Sequence, residues 1–200
     1  ICLSRLKYNA KLVDNPSILT NWKSEHKGLF KKIFYKCIEI ASFGYSRYDR
    51  ILTLEKRYQK AIRNTVFYVE VKNILMAVAP EKLFCSHQRG VSCASIFAAA
   101  QDLGIETITV IYSWDNLPKA RMAFRADKYL VWSDYMQQEL KMYYPEINQQ
   151  QIFVTGTPQF ECYHQPENII PKDVFYERYN LDTHKKIICY SGDDVLTCPD

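Results

Sequence analysis

The feature that most constrains the fold of this chain is a β-branched apolar run at residues 107–112 that stops abruptly at a polar tetrapeptide. The run has no regular polar and apolar alternation, which predicts a parallel strand covered on both faces. In open α/β sheets, ligands bind beyond the carboxyl ends of strands, at a switch in strand order. The tetrapeptide therefore predicts either one wall of a ligand site or merely a turn or helix cap. Its residues are Ser113, Trp114, Asp115 and Asn116.

Strand and helix patterns alternate on both sides of this run. Short apolar segments bounded by turn residues predict further strands at residues 82–86, 128–132 and 151–155. Helices are predicted between them, over residues 91–103 and 133–143. This order is typical of a doubly wound sheet with right-handed crossovers. The predicted fold class is α/β, a Rossmann-like parallel sheet with flanking helices.

The first 80 residues predict a basic helical segment that precedes this sheet. They carry 15 Lys and Arg against 6 Asp and Glu, whereas residues 81–200 carry 11 against 16. Helical periodicity predicts one helix from residue 29 to 41, broken at Gly44, and a longer one from 48 to 76. The apolar residues 1–3 are compatible with the tail of a strand. We expect this segment to be part of the N-terminal domain or to pack on it.

Basic residues in and just before the first predicted helix alternate with aromatic ones, which favours contact with an anionic membrane surface at about 1 kcal/mol per basic residue. The lysines concerned are Lys23, Lys27, Lys31, Lys32 and Lys36. The alternative is a solvated basic face on an ordinary packed helix. Nucleic acid is not expected as a partner, because no recognition motif accompanies the charge.

The chain is expected to be an internal fragment of a longer protein, since it begins at Ile1 and ends within a loop pattern. No apolar run reaches the length of a membrane span. A buried strand is predicted at residues 185–190, leading into Ser191, Gly192, Asp193 and Asp194. The predicted domains are the basic segment at 1–80, the Rossmann-like core at 81–165, and a linker at 166–200 that begins a second domain.

Seven cysteines are scattered along the chain without a Cys-x-x-Cys pair, at positions 2, 37, 85, 93, 162, 189 and 198. This usage favours a reducing compartment and argues against a disulfide framework. The spacing of Cys85, His87 and Cys93 matches no closed zinc site, so no metal is expected there. We expect a cytoplasmic protein, with peripheral contact at the inner membrane face through Lys31, Lys32 and Lys36.

Three loops follow the carboxyl ends of predicted strands, at residues 86–90, 113–116 and 155–159. Together they offer groups that can grip a sugar or phosphate and remove a proton from a hydroxyl. Asp115 and His87 are the candidate bases, and Arg89 is a candidate ligand for a phosphate or carboxylate. Simpler alternatives are a hydrogen bond of His87 within its own turn, a local acidic partner for Arg89, and a tight turn at Gly156.

Motifs for dinucleotide binding, for the phosphate-binding loop and for the serine nucleophile elbow are absent from the sequence. Three sequence blocks stand out instead: Ser113-Trp-Asp-Asn-Leu117, Tyr129-Leu-Val-Trp-Ser133 with the Gln-rich helix after it, and Val154-Thr-Gly-Thr-Pro-Gln-Phe160. Across about residues 80–195 the chain resembles the N-terminal half of bacterial GT-B glycosyltransferases of surface-polysaccharide or capsule synthesis. It is also similar in places to glycerophosphotransferases of the teichoic-acid type.

This resemblance implies half of a GT-B fold, in which the first Rossmann-like domain binds the acceptor and the second binds a nucleotide-sugar donor. Most of that second domain is absent from this sequence, so the fragment alone is expected to be inactive. The implied activity is transfer of a sugar to a glycan or lipid-linked acceptor, without cofactor or metal. Asp115 or His87 would be the catalytic base. The implied substrate-binding residues are Arg89, Ser113, Trp114, Asn116, Gly156, Thr157 and Gln159, and the implied donor-side residues are Gly192, Asp193 and Asp194.

Two other functions stay open at this point. One keeps the fold and transfers glycerol phosphate from a CDP-linked donor. The other is a non-catalytic scaffold or sugar-binding domain.

Overall fold

The structure is a computed structural model that describes residues 1–22, 28–120 and 122–189. The predicted donor-side residues Gly192, Asp193 and Asp194 lie outside the described residues, as do Lys23 and Lys27. The chain divides into two compact units, Ile1–Gly156 and Thr157–Asp200, and each is described by itself. The division at residues 80 and 165 stays a prediction.

The first unit contains a four-stranded, all-parallel sheet in the order β1-β2-β3-β4. Its strands are β1 Lys82–Cys85, β2 Glu106–Val110, β3 Lys128–Val131 and β4 Ile152–Val154. Helices accompany this sheet, which confirms the α/β, Rossmann-like fold class. The doubly wound strand order that the sequence predicts is wrong for the described strands, because each connection moves one strand further in the same direction. Alternating strand and helix patterns predict parallel pairing but not the direction of each crossover.

Seven α-helices lie in the described part of the chain: α1 Cys2–Leu12, α2 Leu29–Gly44, α3 Tyr48–Ile62, α4 Val66–Val78, α5 Cys93–Asp102, α6 Asp134–Tyr143 and α7 Lys172–Arg178. Short 3-10 helices occur at Pro16–Asn21, Gln149–Gln151, Pro158–His164 and Pro166–Asn168. None of the described helices is long and apolar enough to cross a membrane. The predicted helices at 91–103 and 133–143 are confirmed as α5 and α6, with the Ser133 hydroxyl accepting a hydrogen bond from the Met136 amide.

The predicted long helix at 48–76 is wrong, because α3 ends at Ile62 and α4 begins at Val66. The Thr65 hydroxyl accepts a hydrogen bond from the Tyr68 amide at 3.2 Å and so caps α4. The apolar residues keep their three- and four-residue spacing across this break, so periodicity alone predicts one continuous helix.

Two predicted strand segments are also wrong. Residues 1–3 open helix α1, where Leu3, Leu6 and Ala10 recur at helical spacing and are buried. A short apolar triplet cannot distinguish a strand from a helix. Residues 185–189, the described part of the other predicted strand, are exposed and do not adopt strand structure.

Both faces of the central strand β2 carry partly or fully buried side chains, as its sequence predicts. The Thr107 and Thr109 side chains are fully buried. Thr107 donates through its amide and its hydroxyl to Asp127 Oδ2, at 2.8 and 2.7 Å. Buried polar groups are thereby satisfied within the sheet, which lets threonine occupy a core strand.

A buried ionic network joins the helical segment to the sheet. Arg5 and Glu55 are 1% and 5% exposed, and their side chains form a two-point ion pair between α1 and α3. Arg125, which precedes β3, donates to Glu55 Oε2 at 2.8 Å and to Glu146. The Arg5 guanidinium also lies 4.3 Å from the Tyr144 ring centroid. The basic segment therefore packs on the same compact unit as the sheet.

Candidate functional site

The two loops that follow β1 and β2 leave neighbouring parallel strands at the same sheet edge. In the loop after β2, the main-chain amide of Asn116 donates a hydrogen bond to the main-chain carbonyl of Ser113 at 3.0 Å and closes a turn. This turn buries Asn116, leaves Ser113 and Asp115 half-buried, and exposes 69% of Trp114. The tetrapeptide is thus a turn, as one alternative predicts, but a turn that presents an indole to solvent.

Arg89 and Asn116 connect the two loops. Arg89 Nη1 donates to Asn116 Oδ1 at 2.7 Å. Two further donors on this pair, Arg89 Nε and Asn116 Nδ2, are buried and have no hydrogen-bond partner among the described residues. A buried donor left unpaired costs about 1–3 kcal/mol. The pair is therefore suited to a ligand that supplies acceptor oxygens.

Asp115 forms an ion pair with Lys119, four residues further along the chain. Partial burial raises the pKa of Asp115, but hydrogen bonds from Lys119 and Ser113 and the nearby positive charges of Lys119 and Arg89 outweigh it. The net pKa of Asp115 is lower than its ordinary value. A carboxylate held in this way is a weak base, so its geometry suits positioning of Lys119 better than proton abstraction.

His87 is exposed at the rim of the same sheet edge. Its ring meets the Tyr112 ring edge-on, with the centroids 5.7 Å apart. Its main-chain carbonyl accepts hydrogen bonds from the Gly90 amide at 3.1 Å and from Cys93 Sγ at 3.3 Å. The backbone of this turn is therefore fixed, while the imidazole is exposed to solvent.

A cavity of about 840 Å³ opens beside Arg89 within the first unit. Basic and amide side chains line it together with aromatic ones, among them Trp22, Tyr58, Gln88, Arg89, Lys119 and Phe124. Trp22 Nε1 is buried and, like Arg89 Nε, has no acceptor within the described chain. The volume suits a small polar ligand. Aromatic faces and unpaired donors are the groups that bind sugars and phosphorylated compounds.

Gly156 follows β4 and has a φ of +70°, a conformation that glycine adopts at little cost. The sequential strand order places β4 two strands from β2, about 10 Å at the usual strand spacing. The structure therefore brings the His87 and Asn116 loops together but not Gly156 with them. Thr157 and Gln159 belong to the second unit, where Thr157 precedes the Pro158–His164 turn and Gln159 is exposed.

Sequence reasoning missed three residues that line the cavity: Trp22, Gln88 and Lys119. The four-residue spacing of Asp115 and Lys119 was an available signal, because such pairs meet on one side of a helical turn. Trp22 has no local signal, since it reaches the site from a distant part of the chain. Across the described ranges, no group of three His, Cys, Asp or Glu residues could hold a metal ion.

Comparisons of this chain with protein-family models, with curated proteins and with solved structures find no match.

Proposed function

We propose that this chain is the acceptor-binding side of a GT-B-type glycosyltransferase that builds a cell-surface polysaccharide. The observation that carries the proposal is the Arg89–Asn116 pair, with its unpaired buried donors, beside a cavity of about 840 Å³ at the carboxyl edge of a parallel sheet. Sugar and phosphate groups are rich in the acceptor oxygens that such donors need. The proposed reaction transfers a sugar from a nucleotide-sugar donor to a hydroxyl of a glycan or lipid-linked acceptor.

In this mechanism His87 is the general base. The acceptor hydroxyl gives its proton to the imidazole as its oxygen attacks the anomeric carbon of the donor. The bond between that carbon and the phosphate oxygen breaks, and the nucleoside diphosphate leaves. Arg89 and Asn116 orient the acceptor, and the exposed Trp114 offers a face on which a sugar ring can stack.

Asp115 holds Lys119 beside the cavity rather than taking the proton. This role follows from its lowered pKa, since a base must accept a proton near the working pH. The donor is assigned to a second domain, to which Gly192, Asp193 and Asp194 are proposed to belong.

A donor comparison tests this function. We expect the protein, assayed with its complete donor domain, to release a nucleoside diphosphate from a sugar nucleotide in the presence of an acceptor glycan. CDP-glycerol is expected to give no transfer above background. If CDP-glycerol releases CMP in the presence of the acceptor and the sugar nucleotide is not turned over, the glycerophosphotransferase alternative would be established instead. Glycan binding without turnover of either donor would establish the scaffold alternative.

We also propose that helix α2 holds the protein at an anionic membrane surface. Its apolar side chains face outward: Leu29, Phe30, Ile33, Phe34, Ile40 and Phe43 are between 54% and 89% exposed. On the opposite side, Ser42 is buried against the protein, and its hydroxyl accepts a hydrogen bond from Lys7 Nζ at 2.6 Å. An exposed apolar face flanked by lysines is typical of helices that lie in a membrane interface. The proposed location is the inner face of the membrane.

Neutralising Lys31, Lys32 and Lys36 to Gln is expected to weaken binding to phosphatidylserine-containing vesicles about a hundredfold, at about 1 kcal/mol per charge. Vesicle co-sedimentation at low salt measures this, with phosphatidylcholine vesicles as the uncharged reference. The matched control replaces the exposed α3 residues Lys56, Arg57 and Lys60 by Gln. Equal losses in both triple variants, or none in either, would contradict a specific role of α2.

A further inference from the structure

Two cysteines face each other at the base of the loop that carries His87 and Arg89. Cys85 ends strand β1 and Cys93 begins helix α5, and their sulfur atoms lie 3.8 Å apart. Both side chains are half-buried. The seven residues between them form a turn at the same sheet edge. Within this turn, Cys93 Sγ donates a hydrogen bond to the His87 main-chain carbonyl at 3.3 Å.

Gly90 permits this close approach. A Cβ atom at position 90 would lie 3.0 Å from Cys93 Sγ, a separation at which the sulfur would have to move. The glycine therefore leaves room for the second thiol beside the first. The two sulfurs are already in van der Waals contact, so an approach of about 1.8 Å brings them to the length of a disulfide bond.

We propose that Cys85 and Cys93 are a redox modification site, at which a low-molecular-weight disulfide reversibly oxidises the pair to an intramolecular disulfide. The Cys85 thiolate attacks one sulfur of the small disulfide, whose other sulfur leaves as a thiolate. Cys93 then loses its proton and attacks Cys85 Sγ, and the second small thiol leaves. Two protein thiols are oxidised and one small disulfide is reduced to two thiols, so atoms and electrons balance.

The order of attack agrees with the electrostatics of the pair. The hydrogen bond between the two sulfur atoms, supported by the His87 amide and the Thr109 hydroxyl, lowers the pKa of Cys85 to about 6 against the opposing effect of burial. The same hydrogen bond raises the pKa of Cys93. Cys85 is therefore the attacking thiolate and Cys93 the resolving thiol. A disulfide of this kind is compatible with a reducing compartment, where catalytic and sensing disulfides are transient.

Oxidation would act on the loop between the two cysteines. A disulfide between Cys85 and Cys93 closes a ring that restricts the loop. It also removes the thiol hydrogen of Cys93, and with it the hydrogen bond to the His87 carbonyl. The effect on sugar transfer rests on the function proposed above, because His87 and Arg89 lie in this loop. Formation of the disulfide does not depend on that function.

The experiment treats the full protein with oxidised glutathione, blocks remaining thiols with iodoacetamide, and maps the peptides by mass spectrometry. The wild type is expected to yield a Cys85–Cys93 cross-link two hydrogens lighter than the reduced pair, which dithiothreitol reverses. The Cys37→Ser control, at an exposed cysteine of α2, should do the same. Cys93→Ser should instead accumulate a glutathione adduct on Cys85.

Alkylation of both Cys85 and Cys93 in the treated wild type would overturn the proposal, as would separate glutathione adducts on each. Parallel assays of sugar transfer before and after oxidation then test the consequence. A mapped cross-link in a protein without transferase activity would contradict the proposed function and leave the modification site standing.

Discussion

Replacing Glu55 by Gln is expected to lower the free energy of unfolding by about 3–5 kcal/mol, the usual cost of removing one partner from a buried ion pair. Glu55 is 5% exposed and accepts hydrogen bonds from both Arg5 and Arg125. The substitution conserves shape but leaves two guanidinium groups without their shared counter-charge. The loss of the counter-charge destabilises Arg5 most, because this side chain is 1% exposed and its guanidinium cannot be hydrated unless the helical segment opens.

Urea unfolding followed by circular dichroism measures this change. The matched control is Asp49→Asn, which makes the same carboxylate-to-amide change in the exposed Arg47–Asp49 pair, whose side chains are 71% and 65% exposed. Its expected cost is below about 1 kcal/mol. Equal effects at the two positions would contradict a stabilising role of the buried network. A double variant, Arg5→Met with Glu55→Leu, should recover part of the loss, because no unpaired charge then remains between α1 and α3.

This network also shows why one part of the fold could not be predicted from the sequence. Arg5, Glu55, Arg125 and Glu146 lie far apart along the chain, and charged residues on helices are normally expected at the surface. Their burial depends on how α1 and α3 pack against the sheet. No local pattern contains that information, so the basic segment is predictable as helical but not as ion-paired to the sheet.

The sheet was predictable because each strand carries its own signal. Residues 107–112 lack alternation, and the structure places buried threonines on β2, a central strand with a parallel neighbour on either side. Strand order has no such signal. Each crossover can move the chain in either direction along the sheet, and here every described connection moves the same way. That geometry, rather than any motif, separates Gly156 from the loops of His87 and Asn116.

The candidate site was predictable in position but not in chemistry. Loops after parallel strands meet at one sheet edge, which is why Arg89 and Asn116 come within hydrogen-bonding distance. The role of Asp115 depends on its partner, and a carboxylate paired with Lys119 is a different group from a free one. Ranking Asp115 and His87 as bases therefore needs the three-dimensional contacts of each side chain, which no residue pattern supplies.

Replacing His87 by Ala is expected to lower kcat for sugar transfer by about 10²–10⁴, the contribution typical of a general base, with a smaller change in KM. His87 stands exposed at the sheet edge, with its backbone fixed by Gly90 and Cys93, so its removal leaves the turn in place. Asp115→Asn is expected to act mainly on KM, because it frees Lys119 at the cavity wall without removing the base.

Steady-state kinetics of both variants separate these roles, with the exposed His184→Ala as a matched histidine control. Added imidazole should partly restore the rate of His87→Ala, because the free base can occupy the space left by the side chain. It should not affect Asp115→Asn. A wild-type kcat in His87→Ala together with a large loss in Asp115→Asn would transfer the role of base to Asp115. That result would require substrate binding to displace Lys119, since the carboxylate can take a proton efficiently only after its ion pair is broken.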